Sequence, residues 1–163
     1  MSVLEFIQVL VSIILALGIA ELLKGGAELI RAESVKSNPV VLAFGAWLGL
    51  AHLQFWWSGW RFRVAESWAF PELVVYVTPP VILYLTARIL VPQTVEGCDL
   101  VSYYRRTGPT LWRLVAALYV SFVLTNTLLL GVPLLSEGPL SQFGLAVVAL
   151  VASRSDRSSV HWL

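Results

Sequence analysis

The chain has 163 residues, 58% of them hydrophobic and 13% charged, with a mean hydropathy of +0.79. Soluble domains carry about 25% charged residues, so this set cannot cover a water-facing surface and describes a polytopic α-helical membrane protein instead. A formal net charge of +1 excludes the concentrated basic face that a nucleic-acid partner requires. The single cysteine, Cys98, excludes an intramolecular disulfide and a cysteine-built metal site.

The N-terminal "MSVLEF" has no basic region before its apolar run and no evident small-residue cleavage site, so the first apolar stretch reads as a retained span. Five spans are expected in one all-α transmembrane bundle, at about Val3 to Leu23, Pro39 to Trp60, Glu72 to Val91, Leu111 to Val132 and Leu140 to Ala152. The fifth is short and needs a thinned bilayer or the addition of Pro139 and its neighbours. The tail "SRSDRSSVHWL" turns apolar only at its last residues, where a sixth span would begin in a longer form. The segments after spans one, three and five, with the adjoining helix ends, hold Lys24, Arg31, Lys36, Arg88, Arg105, Arg106, Arg113, Arg154 and Arg157. The opposite side holds only Arg61 and Arg63. This asymmetry places the N-terminus outside and the C-terminus in the cytoplasm.

Along span one, Glu5, Gln8 and Ser12 form a polar stripe suited to helix–helix hydrogen bonds. Beyond it, "AELLKG" recurs as "AELIRA" seven residues later, which puts Glu21 and Glu28 on nearly one face and pairs Lys24 with Glu28. The helix is expected to continue past the membrane, loosened at Gly25 and Gly26. It would serve as an interfacial anchor or, more sharply, as a docking face for a partner.

In span two, Gly45 and Gly49 form a G-x-x-x-G that lets a second helix approach closely, and His52 shares their face, which Trp56 and Gly59 continue. His52 reads first as a hydrogen-bonded bundle residue. The sharper readings are an axial ligand to a tetrapyrrole pigment, half of a bis-histidine haem site with His161, or a proton relay. Trp56, Trp57 and Trp60, with Arg61 and Arg63 beyond them, describe an interfacial aromatic belt that Trp47, Trp68, Trp112 and Trp162 extend.

Span three contains Pro79 and Pro80, which free the carbonyls of Val75 and Tyr76 and push Thr78 from helical geometry. Two outcomes follow: a kink beside a neighbouring helix that satisfies those carbonyls, or a broken helix that holds a substrate. Arg88 can snorkel to the headgroups. In the loop that follows, Asp99 caps a short helix that ends at Gly108 and Pro109, holding Tyr103, Tyr104, Arg105 and Arg106 at headgroup level, a set that favours anionic lipid. Cys98 there has no neighbouring histidine to activate it. Span four carries Ser121, Thr125, Asn126 and Thr127 for helix–helix hydrogen bonds. Motifs for zinc proteolysis, serine hydrolysis and phosphate cradling are absent from the sequence.

The stretches "LGIAELLKGGAELIR", "HLQFWWSGWRFR" and "ILYLTARILVP" together resemble a group of small bacterial multi-pass membrane proteins with no assigned activity. The resemblance covers most of the chain and implies a bacterial inner-membrane location and no particular chemistry. Small-residue and polar helix faces without an internal site describe a non-catalytic membrane subunit that packs against other subunits or itself. An accessory subunit of an energy-converting assembly, redox or photosynthetic, is one such case. The alternative is a small transporter or channel subunit built on the Pro79–Pro80 break. No cofactor is expected, a tetrapyrrole at His52 being the exception to test.

Overall fold

A computed structural model describes residues 3–35, 38–64 and 68–154. Among these, every regular element is helical: α1 (Val3–Arg31), α2 (Pro39–Ser58), a 3₁₀ turn (Gly59–Val64), α3 (Phe70–Leu90), α4 (Leu100–Leu130) and α5 (Glu137–Arg154). Four stretches (α1, α2 with its 3₁₀ extension, α3 and α4) are long and apolar enough to cross a membrane. The 18-residue α5 is about 27 Å long at 1.5 Å per residue, and Pro139 lies in its first turn.

The helix ends follow from local chemistry. Asn38 accepts a hydrogen bond from the Val40 amide at 2.9 Å, and Pro39 occupies the first helical position, where a missing N–H costs nothing. Asp99 accepts from the amides of Val101 (3.0 Å) and Ser102 (3.4 Å), capping α4 as expected. That helix does not stop at Gly108–Pro109, however, but runs 31 residues to Leu130. Pro109 removes only the bond to the Arg105 carbonyl, and the rest of the helical ladder carries the chain past it. Gly131, at φ 63, supplies the left-handed turn that ends α4, its amide donating to the Asn126 carbonyl.

α3 is the centre of the bundle, packed against α1, α2 and α4, while α5 lies along α4. The face of α1 that turns inward is Ile7, Val11, Leu15, Gly18 and Gly25, at spacings of three, four and seven. α2 and α4 meet through aromatic rings. Phe44 meets Trp112 edge-on at 5.8 Å, and Phe55 stacks on Phe122 at 5.9 Å. At the Arg31 end of α1, Glu21 pairs with Arg88 of α3 at 3.4 Å, and Ser34 donates to Glu96 at 2.7 Å, joining two loops. Gly25 does not loosen α1. It is buried against Val91, and a methyl group there would overlap that side chain.

Candidate functional site

His52 is wholly buried in the middle of α2. Its Nδ1 lies 2.7 Å from the Leu48 carbonyl one turn back. A carbonyl only accepts, so Nδ1 carries the proton and a neutral ring is left with Nε2 as an acceptor. Nε2 has no hydrogen-bond partner among the described residues. It faces Gly18 of α1, where an added Cβ would overlap it. The histidine therefore bonds within its own helix, and the polar partner expected across an interface is not at Nε2. An axial ligand needs a macrocycle's width of open space before its nitrogen, whereas this nitrogen has less than a methyl group's room. The haem alternative rested on His161, which lies outside the described residues, as do Trp162, Lys36 and Arg157.

The tightest glycine approach to His52 is thus Gly18. At Gly45 and Gly49 an added Cβ would meet Leu90 at 3.6 Å and Leu22 at 3.9 Å, ordinary contacts. Both glycines line an outward-opening groove of about 460 Å³ between the second half of α1 and the first half of α2, together with Gly26 and the exposed Ala46. Nothing lies within 4 Å of a Cβ built on Gly26. Trp56 is 51% exposed and so leaves the face that His52 occupies.

The proline pair does not break its helix. α3 is continuous through Pro79 and Pro80, both buried, and Thr78 is helical, donating to Val74 at 2.7 Å. Pro79 cannot donate to the Val75 carbonyl. The Thr125 hydroxyl of α4 lies 3.3 Å from that oxygen and 2.8 Å from the Ser121 carbonyl of its own helix, sharing one proton between them. A neighbouring helix thus supplies what the proline withholds. Ser121 donates to the Leu118 carbonyl at 2.7 Å.

One turn nearer the start of α3, Tyr76 is fully buried among Phe55, Phe62 and Trp68, with ring centroids 4.6 to 5.8 Å away. Its hydroxyl accepts from the Gln8 amide at 2.7 Å, so part of the polar stripe on α1 does bind another helix. Gln8 fits because Gly59 has no side chain there, a close approach that hydropathy alone does not signal. Trp57 (66%) and Trp60 (60%) are exposed beside Trp56, and the Arg63 guanidinium lies over the Trp60 ring at 4.3 Å, the geometry of an outward aromatic and cationic belt. Arg61 is exposed as well.

Of the set expected at headgroup level, Arg105 and Arg106 are exposed. Tyr103 donates to the Ile89 carbonyl at 2.7 Å, tying α4 to α3. Tyr104 is a core residue, 5% exposed, accepting from Trp112 at 3.0 Å. Helical continuity through Pro109 sets this orientation, since it puts Tyr104, Gly108 and Leu111 on the inward face of one long helix. Among the described residues no three His, Cys, Asp or Glu side chains converge on a metal position. Comparisons of the chain with known protein families, with curated proteins and with solved structures find no match.

Proposed function

We propose that this chain is a non-catalytic membrane subunit that packs a helix of another subunit, or of a second copy, into the α1–α2 groove. The observation that carries this reading is the groove itself. Gly26, Gly45, Ala46 and Gly49 face outward with apolar residues around them, although no helix among the described residues fills the space. Small residues on a lipid-facing helix surface let a second backbone approach, and van der Waals packing then supplies the association energy that apolar burial does not supply in lipid. The same reading holds α5 as a fifth span, the N-terminus outside, the C-terminus in the cytoplasm, and a bacterial inner membrane as the location, in line with the basic-residue asymmetry. The transporter alternative loses its support because α3 is continuous and its freed Val75 carbonyl is engaged by Thr125.

The groove can be filled without disturbing the fold, because Gly49 meets only the far end of Leu22. Gly49→Leu is expected to leave the isolated chain as stable as the unaltered protein. It should abolish fixed-stoichiometry co-purification with partner chains, or self-association by cross-linking in the native membrane. A chain that travels alone before the substitution, or assembles equally well after it, rejects the proposal.

A further inference from the structure

At the end of the bundle where Glu21 meets Arg88, α4 and α5 together build a cationic face. Arg105, Arg106 and Arg113 on α4 and Arg154 at the end of α5 are all exposed. The two helices form a hairpin across residues 131–136. Arg113 lies seventeen residues back from Leu130, and Arg154 lies seventeen on from Glu137. Both therefore stand about 26 Å from the turn, at one level on neighbouring helices. Arg106 is one heptad beyond Arg113 on the same side of α4. Carboxylates at this end are already engaged: Glu21 pairs with Arg88, Glu28 with Lys24, Glu96 accepts from Ser34, and Asp99 caps α4. The only acidic residue on α4 or α5 is Glu137, at the opposite end. Among the described residues none of the four arginines has an ion-pair partner. Arg106 lies over the Tyr103 ring at 5.8 Å, near the outer limit of such a contact.

The surface beneath these arginines is apolar. Val120 lies one heptad below Arg113, Val147 one heptad below Arg154 with Val151 between them, and all three valines are exposed. Arg113 is two residues past Leu111, where the apolar run of α4 begins, so Arg113 and Arg154 mark the edge of the hydrocarbon. Arg105 and Arg106 stand about 10 to 12 Å farther out. A headgroup region occupies roughly 5 to 8 Å on each side of the hydrocarbon core, so these long side chains reach the phosphate plane from below and from above. We propose that this face of the α4–α5 hairpin holds acidic phospholipid headgroups of the leaflet at that end. A soluble acidic protein would match the charge but leave the valines directly beneath it uncovered. A phospholipid supplies both, an anion above an acyl chain, and its phosphate oxygens suit the guanidinium fork. A zwitterionic lipid brings an ammonium with its phosphate, whereas an acidic one brings net negative charge to four uncompensated cations. The face is separate from the α1–α2 groove and rests only on the bundle lying in a membrane.

The test is native mass spectrometry of the full chain in a mild detergent, with equal amounts of phosphatidylglycerol and phosphatidylcholine of matched acyl chains. The expected result is a preference of at least tenfold for phosphatidylglycerol adducts. Each basic side chain at an acidic lipid surface is worth about fivefold, so the double variant Arg113→Gln, Arg154→Gln should lower that preference by about tenfold or more. Arg113→Lys with Arg154→Lys keeps the charge and should keep most of the preference. Arg61→Gln with Arg63→Gln removes two exposed cations from the opposite end and should leave it nearly unchanged. Equal binding of the two lipids by the unaltered chain, an equal loss in the Arg61 and Arg63 variant, or a loss in the lysine variant as large as in the glutamine one would overturn the proposal. All three variants should keep the size-exclusion profile of the unaltered chain, since every side chain replaced is exposed.

Discussion

Gly18→Ala places a methyl group where the His52 imidazole already lies, and the ring has nowhere to retreat. It is fully buried, and its Nδ1–H bond to Leu48 fixes its orientation. Overpacking of this kind costs about 1 to 3 kcal/mol. Alanine also improves helix propensity over glycine by up to about 1 kcal/mol, which would mask part of the clash if Gly18→Ala were compared with the unaltered chain. Gly26→Ala is the proper reference, since it lies on the same helix and meets nothing within 4 Å. The propensity gain cancels between the two, so their difference isolates the steric cost. Reversible unfolding in mixed micelles with a rising fraction of dodecyl sulfate, followed by tryptophan fluorescence, should show Gly18→Ala less stable than Gly26→Ala by about 1 to 3 kcal/mol. In a His52→Ala background the gap should close, because the atom that the new methyl strikes is gone. A gap below about 0.5 kcal/mol, or one that survives removal of the imidazole, refutes the contact as the origin of the glycine requirement.

Thr125→Val removes the hydroxyl between the Val75 and Ser121 carbonyls, and the same unfolding assay should read a loss of about 0.6 to 1.7 kcal/mol that Thr125→Ser does not produce; equal losses would show that the methyl group and not the hydroxyl matters. His52→Leu should cost no more than His52→Gln, because Nδ1 bonds within α2 and Nε2 has no partner to strand among the described residues; a clear advantage for Gln would mean that a donor reaches Nε2 in the assembled protein. A reporter active only in the cytoplasm, fused after Leu163, should be active if α5 crosses the bilayer, and silence there would remove the fifth span.

The apolar parts of α1, α2 and α3 lie close to where hydropathy puts them, because the length of an apolar run is a direct response to the thickness of the solvent it must cross. The clearest boundary error is the start of α4. Hydropathy rises only at Leu111, while the helix begins at Leu100, after the Asp99 cap. Propensity makes Gly108–Pro109 a stop, although a proline withholds one ladder bond and α4 runs on through it. The small-residue signal was read on the helix that carries the more familiar spacing. Gly45 and Gly49 are four apart and face outward, whereas Gly18 and Gly25, seven apart on α1, make close approaches inside the chain, as Gly59 does after α2. The heptad spacing was visible in the sequence. Which glycine pair turns inward was not, because in a uniformly apolar helix hydrophobicity no longer distinguishes the buried face from the lipid-facing one.

That loss of contrast shifts the burden of specifying the bundle onto polar groups, and they divide into two kinds. Thr78, Thr86, Ser121, Ser153 and His52 bond to carbonyls one turn back on their own helices. Such bonds satisfy a polar group wherever the helix sits, so they fix no neighbour and leave the register of the bundle free. Gln8 to Tyr76, Tyr103 to Ile89 and Thr125 to Val75 instead run between helices. Each closes only at one rotation and one height, and all three involve α3, which packs against α1, α2 and α4. Register is therefore set by a few inter-helix bonds converging on α3 and by the glycine contacts at Gly18, Gly25 and Gly59. A few shielded polar atoms take part in neither set among the described residues, Trp68 Nε1, Glu72 Oε2, Thr127 Oγ1 and Gln142 Oε1, and they are spread over the bundle, so they add nothing to its register.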